Sequence, residues 1–236
     1  MRLLGVLGGM SWTSTETYYR LLNTGVADRL GGLHSARIVL HSVDFDEVAA
    51  LQHAGDWDGT AEILADAARG LVAAGAEGLL LATNTMHKVA DAVEGASGLE
   101  VLHIADATAV AIRAQDLTRV GLLATSFTME DTFYVDRLAR HGLDVVAPDP
   151  AGRAEVHRVI YDELVRDVVR PESRERYRAV MADLVADGAE GMIFGCTEVG
   201  LLVGPDDTTV PTFDTCRLHA AAAVEWMLAD GPPAAG

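Results

Sequence analysis

Short apolar runs alternate along the chain with longer amphipathic segments. The runs have the length of buried strands and are bounded by glycine or polar residues, whereas apolar residues recur at helical spacing in the segments between them. This alternation is typical of an α/β fold with largely parallel strands. The predicted strands are residues 3–7, 36–40, 79–81, 120–123, 145–147 and 192–194, and the predicted helices are residues 13–30, 59–74, 129–140, 154–169, 171–186 and 217–228. The closing GPPAAG is predicted to be a frayed tail.

One stretch of sequence occurs twice. Residues 71–78 read LVAAGAEG and residues 184–191 read LVADGAEG, so that only Ala74 and Asp187 differ. A helix-to-strand turn of the GAEG type is common enough to recur by chance. A second match in the same order makes chance a poor explanation, and the chain is predicted to consist of two similar α/β units.

The second match links the first strands of the two halves. LGVLG at residues 4–8 resembles VGLLA at residues 120–124, and each is followed by a Ser/Thr-rich turn and a helix with aromatic residues. Extending the longer repeat without a gap places Thr83 against Cys196. Both residues are therefore predicted to follow the same strand of their own half.

Ligands of open parallel sheets bind beyond the carboxyl ends of the strands. Four loops are predicted at such ends, at residues 8–14, 83–88, 125–129 and 196–200. If the halves face each other by pseudo-twofold symmetry, these loops line one cleft. Thr83 and Cys196 would then approach a bound molecule from opposite sides.

Two opposed side chains of this kind suit proton transfer at a carbon atom. Removing the α-proton of an amino acid and returning it to the other face needs a proton carrier on each side of a planar carbanion. The Cys196 thiol is a good carrier if a helix amino terminus lowers its pKa from about 8.5. A buried structural thiol is the alternative, but the polar neighbours Thr197 and Glu198 favour function. Cys216 follows a helix-cap pattern and is predicted to pack in the core.

Hydroxyl and amide groups in the predicted loops are candidates to bind a carboxylate. Ordinary turn and cap chemistry is the alternative for each of them. His87 either contacts the substrate or supports the turn after Thr83, and support is favoured. The candidates are Asn84 and Thr85 in the first half and Thr125, Ser126 and Thr128 in the second.

Composition excludes several classes of protein. The net charge of −17 argues against nucleic acid or an anionic membrane as a partner. Lys88 is the sole lysine, which argues against a pyridoxal-phosphate enzyme because its Schiff base needs a lysine. The histidines lack metal-ligand spacing, and the glycines at residues 8–9 lack a nucleotide fingerprint. With two cysteines, no apolar span long enough for a membrane and no cationic leader, a reduced cytoplasmic protein is predicted.

Three motifs, in order, carry a resemblance to a known family. They are GGMS at residues 8–11, NTMH at residues 84–87 and GCTE at residues 195–198, and with the repeat they span nearly the whole chain. The chain resembles the aspartate/glutamate racemase superfamily. The resemblance implies two Rossmann-like α/β domains with parallel four-stranded sheets related by pseudo-twofold symmetry. It also implies an amino-acid substrate, no cofactor, a site at the domain interface and commonly a homodimer.

The same resemblance implies the domain boundaries. The carboxyl-terminal segment is expected to cross back to the first domain, so that residues 1–98 and 209–236 form one domain and residues 99–208 form the other. It also adds Met10, Ser11, Thr197 and Glu198 to the substrate-binding candidates. Gln52, Lys88 and Arg166 are candidates to bind a second carboxylate. Related proteins use basic residues near residues 56–60 and 161–166 for that purpose, where this chain has Gly59 and Val165.

Thr83 is a departure from the majority of the superfamily, which has cysteine there. This chain is most similar to a group with threonine in that position that acts on aspartate and glutamate. The resemblance then implies unequal carriers: the Cys196 thiolate takes the α-proton of the L-enantiomer, and Thr83 delivers a proton to the opposite face.

Two other functions remain open. A decarboxylase or isomerase of malonate-like or maleate-like diacids needs only one proton donor, which suits a single cysteine at the site. A two-lobed small-molecule binding protein is disfavoured because it has no use for a cysteine in the cleft.

Overall fold

The computed structural model describes residues 1–229, so the predicted frayed tail GPPAAG lies outside the described residues. The described residues form two compact units, 1–103 with 219–229, and 104–218. Both boundaries lie further along the chain than the expected residues 98 and 208. The second differs because β7 (Thr212–Asp214) pairs with β6 (Met192–Phe194) and so belongs to the sheet of the second unit.

Strands and helices alternate through both units as an α/β fold requires. The other strands are β1 (Leu4–Gly8), β2 (Ile38–Ser42), β3 (Gly78–Leu81), β4 (Arg119–Leu123) and β5 (Asp144–Val146). The helices are α1 (Trp12–Leu30), α2 (Phe45–Ala54), α3 (Trp57–Ala73), α4 (Ala90–Ser97), α5 (Ile104–Arg113), α6 (Ser126–Met129), α7 (Thr132–Arg140), α8 (Pro150–Asp162), α9 (Pro171–Ala186), α10 (Val199–Leu202) and α11 (Thr215–Leu228).

Each unit contains one parallel sheet. The order is β2-β1-β3 in the first unit and β5-β4-β6-β7 in the second. The prediction of four strands in each sheet is wrong for the first, which has three within residues 1–229. In the fourth position only Val101 forms a bridge, to Leu79, because the chain enters α5 at Ile104 before more residues can pair.

The repeated sequence has the same structural task in both units. Its glycines, Gly75 and Gly188, end α3 and α9 with φ angles of 91° and 94°, a left-handed region that favours glycine. Past Gly75, the Ala76 N–H donates to the Leu71 carbonyl at 3.0 Å, and the equivalent bond in the second unit has the same length. The glycine thus turns each helix directly into the following strand.

The glutamates of the repeat secure the neighbouring strand. The Glu77 carboxylate accepts from the Leu3 N–H at 2.7 Å, just before β1. The Glu190 carboxylate accepts from the N–H groups of Thr118 at 3.0 Å and Arg119 at 3.1 Å, at the start of β4. These hydrogen bonds lower the pKa of Glu190 and fix the register between the third and first strands of each sheet.

That register confirms the equivalence of Thr83 and Cys196 within their own sheets. Leu7 of β1 pairs with Leu81 of β3, and Leu123 of β4 pairs with Phe194 of β6. Thr83 and Cys196 each stand two residues beyond these terminal pairs. The sequence repeat is therefore a structural repeat.

Helix boundaries differ from the prediction where side chains cap the backbone. The predicted helix 129–140 begins later, as α7 at Thr132, since the Asp131 carboxylate caps it by accepting from the Phe133 N–H. The predicted helix 154–169 begins earlier, at Pro150, where Asp149 caps it, and α8 ends at Asp162. The sequence pattern does not predict helices α4, α5, α6 and α10 or strand β7.

Each sheet is covered by apolar side chains of its own unit. Fully buried residues of the first unit include Leu7, Leu64, Leu71, Leu79 and Leu81, and those of the second include Leu122, Ile160, Tyr177, Met181 and Ile193.

No helix among residues 1–229 has the length and apolar content needed to cross a bilayer.

Gly9 allows the close turn that follows β1. Its φ is 96°, and a Cβ atom there would lie 2.2 Å from the Val43 carbonyl oxygen. Gly55, at the end of α2, has a φ of 73° but no atom within 4 Å of such a Cβ. Gly55→Ala should cost about 1–2 kcal/mol of unfolding free energy through backbone strain, and Gly9→Ala roughly 3 kcal/mol or more because backbone atoms must also move. Urea denaturation of both variants checks this, and equal losses would contradict the close contact at Gly9.

Candidate active site

The loop after β1 lies beside the loop after β3 in the first unit. Ser11 begins the turn into α1, and its hydroxyl oxygen accepts from the Ser14 N–H at 3.2 Å. The Ser14 hydroxyl donates to the Ala82 carbonyl at 2.9 Å. Met10 and Ser11 are buried, and the hydrogen bond from Ser14 to Ala82 joins the start of α1, which Ser11 caps, to the residue before Thr83.

Thr83 is buried at the carboxyl end of β3. The chain continues through buried Asn84 into a short 3₁₀ turn at Thr85–Val89. Within this turn the His87 Nδ1 atom lies 2.9 Å from the Thr83 carbonyl oxygen. Because a carbonyl can only accept, Nδ1 must donate. His87 therefore supports the turn, in agreement with the favoured prediction.

The candidates for binding a second carboxylate belong to both units, Gln52 and Lys88 to the first and Arg166 to the second. Gln52 is buried on the inner face of α2, and within residues 1–229 its side chain makes no hydrogen bond to the Thr83 loop. The Lys88 ammonium lies 4.1 Å from the centre of the Trp57 ring, a cation–π contact. Arg166 is exposed in a short turn after α8.

A cluster of aromatic and histidine rings lies beneath the Thr83 turn. The His87 ring centre is 4.6 Å from that of His103 and 5.5 Å from that of His219. His219 Nδ1 lies 2.9 Å from the Tyr18 hydroxyl, and its Nε2 atom donates to the Leu102 carbonyl. Burial, and then the charge of His87, lower the pKa of His219 to about 3. This imidazole is consequently neutral near pH 7.

In the second unit, Cys196 follows β6 and is hydrogen-bonded to Glu198. The thiol donates to the Glu198 Oε2 atom at 2.9 Å, and the Thr197 hydroxyl donates to the same oxygen at 2.6 Å. Glu198 is buried, whereas Cys196 remains partly exposed. The three residues of the predicted motif thus form one hydrogen-bonded group around a single carboxylate oxygen.

The pKa of Cys196 moves in the opposite direction to the prediction. Desolvation of the sulfur, and then the negative charge of Glu198, raise the pKa well above its usual value. The expected lowering by a helix amino terminus fails because α10 is short and begins only at Val199, while the Glu198 carboxylate accepts a hydrogen bond from the thiol and its negative charge disfavours the thiolate. Cys196 is therefore a thiol at rest.

Thr125 and Thr128 lie in the loop beside Cys196. Both are buried, and their hydroxyl oxygens are 3.4 Å apart. Because β4 and β6 are adjacent parallel strands, the loops that follow them emerge at one edge of the sheet. The Ser126 N–H is directed instead to His157, so its suggested part in binding a carboxylate is not supported.

Two residues near this edge were missed by the sequence analysis. Tyr177 of α9 is fully buried and donates its hydroxyl proton to the Val156 carbonyl at 2.8 Å. Burial and then the charge of Cys196 raise its pKa. His157 reaches Ser126 from α8. Only the helical spacing of His157 and Tyr161 could have indicated a shared face, and nothing in that spacing indicates Ser126.

Comparison with known proteins identifies the family of this chain. The sequence matches the Asp/Glu/Hydantoin racemase family over residues 7–223. The chain belongs to this family, which confirms the resemblance carried by its three motifs.

Solved structures agree with this family. The chain is similar to a Yersinia pestis protein proposed to be an Asp/Glu racemase, at 52% identity and a TM-score of 0.92, over 97% of this chain and 100% of that one. It is also similar to an aspartate racemase homologue from Pyrococcus horikoshii OT3, at 31% identity and a TM-score of 0.84, over 96% and 99% of the two chains. A variant of arylmalonate decarboxylase shares the fold alone, at 14% identity and a TM-score of 0.53, over 100% of this chain and 96% of that one.

The buried neutral imidazole of His219 makes folding sensitive to acid. Its pKa is about 3 in the folded chain, against about 6.5 when unfolded. Below pH 6.5 the unfolded chain binds a proton that the folded chain does not, so stability is complete above that pH and falls as the pH is lowered toward 3. The contribution is about 1.4 kcal/mol per pH unit.

Urea denaturation between pH 6.5 and pH 4.5 measures the change in unfolding free energy per pH unit. In the folded chain Asp207 and Glu155 have pKa values of about 2 and therefore titrate below this range. His219→Gln should have a shallower slope than the wild type. The exposed His34, changed to Gln, is the control and should leave the slope unchanged. Identical slopes in the wild type and His219→Gln would contradict the burial argument.

Proposed function

We propose that this protein is a cofactor-independent amino-acid racemase that acts on aspartate or glutamate and exchanges the α-proton through Cys196 and Thr83. The observation that carries the proposal is the Cys196–Glu198 hydrogen bond at the end of β6, in the position that Thr83 occupies after β3. Membership of the Asp/Glu/Hydantoin racemase family supports it.

Cys196 and Glu198 together provide the proton carrier of one side. To act as a base, the thiol passes its proton to the Glu198 carboxylate as the thiolate removes the α-proton. To act as an acid, the thiol protonates the carbanion directly. The raised pKa of Cys196 keeps the thiol protonated at rest and makes its thiolate the stronger base when it forms.

Thr83 provides the carrier of the other side. A hydroxyl can donate or relay a proton, but it is a far weaker acid than a thiol and a poor resident base. The two directions must nevertheless have equal kcat/KM, because free enantiomers have equal free energy. The inequality of the carriers appears only in the separate kcat and KM values.

Hydroxyl, amide and backbone donors bind the α-carboxylate in this proposal. They belong to Thr125 and Thr128 in the second unit and to Asn84 and Thr85 in the first.

Hydrogen isotope exchange tests the proposed function. The protein is incubated with L-aspartate or L-glutamate in deuterated water, and α-deuterium is followed by NMR while the enantiomers are separated by chiral chromatography. Deuterium should enter Cα as the opposite enantiomer accumulates, and Cys196→Ala should abolish both processes. Absence of exchange across the common amino acids would refute the racemase proposal.

Replacing the weaker carrier should accelerate the reaction. Thr83→Cys is expected to raise turnover by about tenfold or more, especially for the enantiomer whose α-proton faces residue 83, because a thiol is the better acid and base. Thr83→Ser is the matched control and should stay near wild-type activity. A folded Thr83→Cys variant without any gain, measured by racemisation rates from both enantiomers, would count against the assignment of Thr83.

Removing the charge of Glu198 should separate its effect on the pKa of Cys196 from its role as the group that takes the thiol proton during racemisation. In a Cys216→Ala background, alkylation by iodoacetamide reports the thiolate fraction of Cys196 as the pH is raised. Glu198→Gln should move the alkylation midpoint to lower pH, because the carboxylate that raises the pKa of Cys196 is gone. Racemisation should still fall by about tenfold or more, since no carboxylate is left to take the proton.

Glu175→Gln, which removes an exposed carboxylate paired with Arg178, is the control and should change neither quantity. An unchanged alkylation midpoint in Glu198→Gln would mean that the carboxylate does not govern the thiol.

A second candidate function is decarboxylation of a malonate-like diacid. Loss of CO2 produces the carbanion without a base, so Cys196 alone is sufficient, and the hydroxyl at Thr83 favours this chemistry over a two-thiol reaction. Incubation with phenylmalonate separates the candidates: CO2 release without α-deuteration of amino acids supports decarboxylation, and the reverse pattern supports racemisation.

A further inference from the structure

The first turn of α6 is held by a histidine from another helix. Thr125 occupies the capping position but makes no side-chain capping bond. Instead, the Nδ1 atom of His157 lies 3.2 Å from the Ser126 backbone nitrogen and 3.1 Å from the Ser126 hydroxyl oxygen. His157 of α8 therefore supplies the acceptor that a helix amino terminus requires.

This contact defines the protonation state of the ring. A backbone N–H can only donate, so the Nδ1 atom of His157 must present its lone pair to Ser126. The ring proton of the neutral imidazole is then on Nε2. A side chain without an acceptor at this position would leave the Ser126 N–H without its partner.

The ring of His157 is fixed by its surroundings. It packs edge-on against Phe127, with ring centres 5.9 Å apart, and is tilted against Tyr161 at 4.7 Å. Helix α8 is itself held by the Asp149 cap and by the hydrogen bond from the Tyr177 hydroxyl to the Val156 carbonyl. The Nδ1 atom is thus presented from a rigid element.

We propose that His157 is a positioning residue for substrate binding, which it serves by fixing the turn that contains Thr125 and Thr128. This inference rests on the proposed function, in which those two threonines bind the α-carboxylate. A helix as short as α6 has little stability of its own, so its geometry depends on contacts such as this one. The chemistry at Cα does not involve His157, and its loss should weaken binding more than catalysis.

Two substitutions separate the acceptor from the ring. His157→Phe keeps an aromatic ring against Phe127 and Tyr161 but removes the acceptor. His157→Asn removes the ring but can place its amide oxygen near the Nδ1 position. Racemisation of L-aspartate or L-glutamate, followed by chiral chromatography over a range of concentrations, gives KM and kcat for each variant.

His157→Phe should raise KM about fivefold, the value of one lost hydrogen bond, with kcat within about twofold of wild type. His157→Asn should recover most of the wild-type KM, and the exposed control His34→Asn should not change it. Equal kinetic constants in His157→Phe and wild type would overturn the inference. So would equal impairment of the Phe and Asn variants, or a fall in kcat at constant KM.

NMR spectroscopy and hydrogen exchange test the contact between His157 and Ser126 without an activity assay. Long-range ¹H–¹⁵N spectra should show His157 with its proton on Nε2, and hydrogen exchange should show a protected Ser126 amide that loses protection in His157→Phe. A proton on Nδ1 would overturn the inference even if the protein racemises amino acids. A wild type that exchanges no α-proton refutes the proposed function instead, so the two failures are distinguishable.

Discussion

The helix-to-strand turn of the LVA-x-GAEG repeat is the constraint on which the remaining structure depends. Its glycine adopts a left-handed conformation that ends the helix, and its glutamate accepts backbone N–H groups next to the first strand of the sheet. Together they fix where the third strand begins and which residues of the first strand it pairs with. Because the strands are short, this start also fixes which residue emerges at the carboxyl end. Thr83 and Cys196 owe their equivalent positions to that register.

Thr83 and Cys196 occupy equivalent backbone positions, but their side chains and immediate surroundings differ. After β6, the partly exposed thiol donates to a buried carboxylate, and desolvation with that negative charge raises the pKa of Cys196. After β3, the Thr83 hydroxyl precedes a turn that His87 holds through the Thr83 carbonyl, beside the neutral imidazole of His219. Cys196 and Glu198 are two titratable groups between which a proton can be held and released. Thr83 has a backbone held by His87 and a hydroxyl that titrates with difficulty.

The sequence predicts those features that depend on local pattern. Six strands, the α/β class and the pairing of Thr83 with Cys196 follow from apolar periodicity and from the repeat. The three strands of the first sheet agree with the apolar pattern, whereas the fourth strand implied by the resemblance is reduced to a single bridge between Val101 and Leu79, because α5 begins at Ile104. The direction of the Cys196 pKa shift also escapes the sequence, since it depends on whether Glu198 turns toward the sulfur. His157 and Ser126 are far apart in the chain, and their contact is created only by the packing of α8 on α6.

The central claim is that Cys196 and Thr83 act as separate carriers for opposite faces of one carbanion, and a Thr83→Val variant tests it most directly. With Thr83 disabled, Cys196 and Glu198 should still exchange the α-proton of the L-enantiomer with deuterated water and return it to the same face. Proton NMR with chiral chromatography should therefore show α-deuterium entering L-aspartate or L-glutamate without formation of the D-enantiomer, and no exchange when the D-enantiomer is supplied. Exchange of both enantiomers, or continued racemisation, in Thr83→Val would contradict the account.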